Sequence, residues 1–132
     1  MVDPALVAKA EASYLKAIQA NGNQADYQYN LGALYYNNAV EVNKQMNAIA
    51  GSSAAEIKKY EALKKQRDEV FNKGLPYLAK AAEIVSAKDA STQSADDKST
   101  LQSAYQAQVQ IYNALGNKAK AEEFKKKISE IR

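Results

Sequence analysis

The sequence predicts an all-α fold, and three observations carry that expectation. Ala, Lys, Gln, Glu and Leu dominate the 132 residues, and these side chains lose little freedom in a helix. Proline occurs twice and glycine five times, too seldom for the turn-rich chain of a β-sandwich. Apolar residues recur at steps of three and four along each long segment, which is the spacing of one helix face. The pattern resolves into five helices within one domain.

The first helix is expected from Pro4 to Ala20, with Asp3 as N-cap and Pro4 at the first helical position. Leu6, Ala10, Tyr14, Ala17 and Ile18 form its stripe, and Gly22 in Asn21-Gly22-Asn23 is expected to supply a left-handed cap. The second helix spans about Gln24 to Ala50, with Leu31, Leu34, Tyr35, Ala39, Val42, Met46 and Ile49 inward. Gly51-Ser52 ends it, and Ser53-Ala54-Ala55-Glu56 reads as a capping box for the third.

The third helix is long, about Ala54 to Ser86, striped by Ile57, Tyr60, Leu63, Val70, Phe71, Gly74, Leu78, Ala81 and Val85. Pro76 lies inside it and is expected to kink or break it between Lys73 and Pro76, because proline removes a backbone donor. Residues 86–97 have little apolar periodicity and read as a mobile surface loop. Ser99-x-x-Gln102 then reads as the capping box of a fourth helix, striped by Leu101, Tyr105, Val109, Tyr112 and Leu115 and closed by Gly116-Asn117. The fifth runs from about Lys118 to the end, with Ala121, Phe124, Ile128 and Ile131 on its apolar face.

Composition excludes several kinds of chemistry. The chain has no Cys and no His, which removes thiol nucleophiles, thiolate metal sites and the commonest general base. No apolar run is long enough to span a membrane, and the first residues lack the basic start and apolar block of a signal peptide. The net charge of +3 is mild, so nucleic acid is not the expected partner. Basic residues gather at Lys58, Lys59, Lys64, Lys65 and Arg67, and again at Lys118, Lys120, Lys125, Lys126 and Lys127. In the first group, Glu61–Lys65, Lys64–Asp68 and Lys65–Glu69 stand four apart, which predicts a solvated face of paired charges.

Asn30-Leu31-Gly32-Ala33-Leu34-Tyr35 resembles the start of a tetratricopeptide repeat, whose pattern includes Leu-Gly-x-x-Tyr. Ala10-x-x-x-Tyr14-x-x-Ala17 and Gly74-x-x-x-Leu78-x-x-Ala81 resemble second helices of such repeats. Tyr105, Tyr112, Leu115-Gly116 and Ala121 resemble another whole unit. The step of 18 residues from Ala17 to Tyr35 matches the family, whereas the 64 from Ala17 to Ala81 exceeds one period by about 30. That excess implies two helices each longer by roughly 15 residues, or about 22 Å, projecting as an antiparallel hairpin. A further excess of about 13 falls in the Ser-rich loop. The aromatic expected before Leu31 is replaced by Gln28, one has slid to Phe124, and each unit lacks the closing proline.

The resemblance implies a short right-handed solenoid of antiparallel helical hairpins: a half repeat or cap over 4–21, a repeat with an elongated hairpin over 24–86, and a C-terminal repeat over 98–132. It implies that Tyr14, Tyr35, Tyr105 and Tyr112 are packing residues. It implies a concave face showing Tyr29, Asn30, Ala33, Tyr36 and Asn37 from the second helix, with Gln106, Gln110 and Asn113 from the fourth. The expected function is protein–protein interaction with a peptide or protein partner, without catalysis, metal or cofactor. Glu41 and Asp26 flank the groove helix, but no second carboxylate or base is spaced to pair with either. The alternatives are self-association through the hairpin and binding of an anionic surface through its lysines.

Overall fold

The computed structural model describes residues 3–131. Five helices pack together: α1 (Pro4–Ala20), α2 (Ala25–Asn47), α3 (Ala54–Ser86), α4 (Ala95–Ala114) and α5 (Lys118–Ser129). Among the described residues there is no strand. α1 packs on α2, α2 on α3, α3 on α4 and α4 on α5, while α2 also touches α4.

The helix ends follow local chemistry. The Asp3 carboxylate accepts from the Ala5 amide at 2.9 Å ahead of Pro4. Ser53 and Glu56 close the expected capping box, with Ser53 Oγ accepting from the Glu56 amide at 3.2 Å. Gly116 ends α4 at φ 79°, where the Asn117 amide reaches back to the Tyr112 carbonyl at 2.8 Å.

Four expectations are corrected. Gly22 is not left-handed; among the described residues Gly116 alone has a positive φ, and α1 ends on an extended Asn21. Pro76 does not break α3, which runs on for 33 residues. The fourth helix begins four residues before Ser99, on a capping box made by Ser94 and Asp97. Ser94 Oγ accepts from the Asp97 amide at 3.0 Å, and the Asp97 carboxylate accepts from the Ser94 amide at 3.0 Å. That first turn carries no apolar stripe, so periodicity starts late. The shortened connection holds a 3-10 turn (Ala90–Thr92), and Gln93 Nε2 donates to the carbonyls of Val85 at 3.2 Å and Lys88 at 3.3 Å at the end of α3. Finally, none of the three expected charge pairs closes among the described residues, and Asp68 pairs with Arg67 instead.

The core is built where α3 meets its neighbours. Ala39, Phe71, Leu78 and Ile111 form one buried cluster; Ala81, Ala82, Val85, Leu101 and Ala104 form another. α2 and α3 approach closely through two glycines. A Cβ on Gly32 would meet Leu78 Cγ at 2.7 Å, and one on Gly74 would meet the Gly32 carbonyl at 3.2 Å. Tyr35 is buried as expected, whereas Tyr14, Tyr105 and Tyr112 are half-buried. Tyr105 and Tyr112 both pack on Phe124, at 5.8 and 5.7 Å between ring centroids.

Three buried polar residues complete the packing. Gln28, standing where the resemblance expects an aromatic ring, donates to the Gly22 carbonyl at 2.9 Å. Gln108 donates to the Ala104 carbonyl at 3.2 Å. Arg67, expected on a solvated face, is buried: it donates to Asn43 at 2.8 Å and to the Ala114 carbonyl at 3.3 Å. Beyond Arg67 the α2–α3 hairpin loses its cover. Ile57 and Tyr60, expected inward, are exposed by 51% and 40%. α1 contributes no fully buried residue, and Leu6 is exposed.

Candidate functional site

The α2 surface beside its buried stripe carries Tyr29, Ala33, Tyr36 and Asn37, at steps of four, three and one, which keeps them on one side of the helix. On α4, Ser103, Gln106, Ala107 and Gln110 do the same. These two rows face each other across a cleft of about 470 Å³. It continues into a smaller recess of about 240 Å³ that shares Tyr29 and Ser103 and adds Asp26, Asn30, Ser99 and Thr100.

The register follows from these neighbours. Asp26 and Asn30 lie with Ser99 and Ser103, while Tyr36 and Asn37 lie with Gln106 and Gln110. Residue numbers rise together along both walls, so α2 and α4 run parallel. α3 runs antiparallel to both, with Tyr36 near Phe71 on the α2 side and Arg67 near Ala114 on the α4 side.

Of the eight residues expected on a binding face, six line the cleft: Tyr29, Ala33, Tyr36, Asn37, Gln106 and Gln110. Asn30 lies in the adjoining recess. Asn113 is exposed one turn further along α4 and lines neither. Sequence reasoning missed Ser103 and Ala107 on the α4 wall and Ser99 and Thr100 at its start. Ser103 stands three before Gln106, Ala107 three before Gln110, and Ser99 and Thr100 four and three before Ser103; that helical spacing was a usable signal, although small side chains carry no periodic contrast.

Among the described residues the main cleft is lined by neutral side chains. Tyr29 packs against the Ala81–Leu101 cluster, and Tyr36 packs on Phe71 at 5.9 Å, so both rings are anchored while also lining the opening. The amides of Asn37, Gln106 and Gln110 each offer donors and an acceptor. Among the described residues none of these three, nor Asn30, has a side-chain hydrogen-bond partner, unlike Gln28, Gln93 and Gln108. Among the described residues no charged side chain lines the main cleft, and Asp26 is the one charge in the recess.

A larger cavity, about 620 Å³, lies on the other side of α4, lined by Ser86, Gln93, Tyr105, Lys127 and Glu130 among others. Several of its polar groups are already engaged. Ser86 Oγ meets the Tyr105 hydroxyl at 3.3 Å, Gln93 holds the end of α3, and Lys127 sits 5.1 Å over the Phe124 ring. None of the expected binding residues lies there.

Among the described residues titratable groups are shifted at three places, none of them in the cleft. Burial, then hydrogen bonding to Glu11, pushes the Tyr35 phenol up. The Ser53 hydroxyl and amide hold Glu56 below the ordinary carboxylate range. The Ser94 amide, followed by Lys88 at 3.2 Å, does the same for Asp97. Glu41 is paired with Lys44 at 3.0 Å. Among the described residues no group of three or more acidic side chains converges as a metal site, and no helix is long and apolar enough to cross a membrane. Compared with family models, with curated proteins and with solved structures, the chain finds no match.

Proposed function

We propose that the chain is a non-catalytic scaffold of tetratricopeptide-like helical hairpins that holds a peptide or protein partner in the α2–α4 cleft. One observation carries this reading: side chains from two parallel helices meet across an opening whose amides have no partner among the described residues. An extended peptide presents alternating N–H and C=O groups, which Asn and Gln side chains satisfy from either wall. The anchored rings of Tyr29 and Tyr36 add contact area at little entropic cost. The helix order supports the repeat assignment. α1–α2, α2–α3 and α4–α5 pack as successive neighbours, and α3 lies antiparallel to both cleft helices.

The test is selection of binders from a phage-displayed library of random heptapeptides. Asn37→Ala with Gln110→Ala removes two exposed amides without touching the core. The selected peptides should bind this double variant at least about tenfold more weakly, on the scale of two lost hydrogen bonds, with helicity unchanged by circular dichroism. Equal binding contradicts the reading. Tyr36→Ala is the less clean variant, because that ring also packs on Phe71.

A second reading rests on the arm. Ile57 and Tyr60 stand exposed near Lys58 and Lys59, which favours self-association or a further contact through the hairpin tip. Light scattering on wild type and Ile57→Ser with Tyr60→Ser separates the two: a dimer that the double variant dissociates supports the arm, and a monomer in both discounts self-association.

A further inference from the structure

We infer that the cleft selects a short extended peptide that is neutral along most of its length and carries a Lys or Arg at the end lying over Asp26. This rests on the peptide-binding reading above and adds ligand chemistry to it.

Length comes first. Asp26 and Asn37 mark the two ends of the α2 wall, eleven residues apart, which at about 1.5 Å per residue is about 16 Å. An extended chain rises about 3.3 Å per residue, so the walls match about five peptide residues.

Charge comes second. The whole chain is positive at +3, and acidic ligands would be drawn to its lysine-rich faces. The cleft departs from that surface. Its main part has no charged lining residue, and burying a peptide carboxylate or ammonium there would leave that charge unpaired. The recess at the helix N-termini has one charge, the Asp26 carboxylate. Among the described residues Asp26 makes no ion pair and its side chain no hydrogen bond, whereas the nearby Asp97 is held by Lys88 and by its own capping box. Lys98, the closest lysine in sequence on α4, lines the cavity on the opposite side of that helix. The N-terminal dipole of α2 offsets part of the Asp26 charge, and a guanidinium or ammonium reaching it meets the remainder without a competing cation among the described recess-lining side chains.

Direction comes third. Because α2 and α4 are parallel, both walls begin at the Asp26 end and both finish at Asn37 and Gln110. The cleft has two chemically different ends, a carboxylate and a pair of amides, so a bound peptide has a preferred orientation.

The experiment repeats the heptapeptide selection on the full chain, on Asp26→Asn and on Asp26→Lys. Wild type should enrich Lys or Arg at one fixed position of the consensus. Asp26→Asn should lose that enrichment and bind the wild-type peptides about two- to five-fold more weakly, the scale of one exposed ion pair. Asp26→Lys should enrich Asp or Glu at the same position, an inversion that a purely structural role for Asp26 would not produce. A consensus with no charge preference, whose binding still depends on Asn37 and Gln110, overturns this inference and leaves the cleft reading standing. Peptides indifferent to Asn37 and Gln110, or no enriched peptide at all, overturn both.

Discussion

Arg67 donates to the carbonyl of Ala114 at 3.3 Å, joining the middle of α3 to the last residue of α4 across 47 residues of sequence. The same guanidinium takes Asn43 on α2 at 2.8 Å and Asp68 at 2.9 Å. Three helices therefore meet at one buried cation, at the level where the long hairpin leaves the body. Its charge faces a helix C-terminus, where the backbone dipoles favour a cation. Arg67→Ala leaves Asn43 and the Ala114 carbonyl short of a donor and should cost about 2–3 kcal/mol. Arg67→Lys should recover little, because one ammonium does not reproduce the planar fork. Urea midpoints of the two variants check this; a midpoint equal to wild type in either contradicts it.

The two glycines at the α2–α3 crossing are predicted to behave differently. A Cβ on Gly32 falls 2.7–2.8 Å from the side chain of Leu78, which is itself fully buried and has nowhere to move. Gly32→Ala should cost about 1–3 kcal/mol by overpacking. A Cβ on Gly74 meets Tyr35 Cβ and the Gly32 carbonyl at 3.2 Å, a milder conflict. There the gain in helix propensity, about 1 kcal/mol, offsets much of the strain. Thermal denaturation of both variants should rank Gly74→Ala above Gly32→Ala.

α1 is held to the body largely by a half-buried apolar face, with Tyr35 donating from α2 to Glu11. Tyr35→Phe should raise amide exchange across α1 while leaving α3 and α4 protected, since α1 has no fully buried residue to hold it. The Tyr35 phenol is pushed up, so the folded state favours its protonated form. That stabilisation is complete below the ordinary tyrosine range and is lost as pH rises through it toward the folded value. Tyr35→Phe should accordingly remove that alkaline dependence from urea midpoints measured against pH.

The two capping boxes set an acid limit. Glu56 and Asp97 are both held below the ordinary carboxylate range by hydrogen bonds at the starts of α3 and α4. A depressed carboxylate contributes stability above its unfolded pKa and loses it as pH falls through the folded value. Stability should therefore decline below about pH 4, and Glu56→Gln with Asp97→Asn should flatten that part of the profile. Both groups are half-buried at helix starts that stay open to solvent, so the effect should be small beside that of Arg67.

Much of the helical pattern was legible because it is written locally. Ser53 and Glu56 begin a helix through contacts three residues apart, and Gly116 ends one through its own φ. The first turn of α4 was not legible, since Ser94–Lys98 offers no periodic apolar contrast. Arg67 looked like one more charge on a solvated face; its burial depends on Asn43 and Ala114, 24 and 47 residues away. Six cleft residues could be named because the resemblance to the repeat family carries them over onto one side of α2 or α4. Their meeting across a gap, and the isolation of Asp26 at one end, depend on the parallel register of two helices separated by all of α3. No single-helix pattern encodes that.

Peptide capture in the α2–α4 cleft is read most directly by amide chemical-shift mapping of the labelled chain titrated with a library-selected peptide. Peptide held between α2 and α4 should give saturable shifts at Ala33, Asn37, Gln106 and Gln110, with Asp26 responding most to a peptide bearing a terminal lysine. Shifts confined to Ile57 and Tyr60 at the arm, or to Tyr105 and Lys127 around the larger cavity, would contradict it.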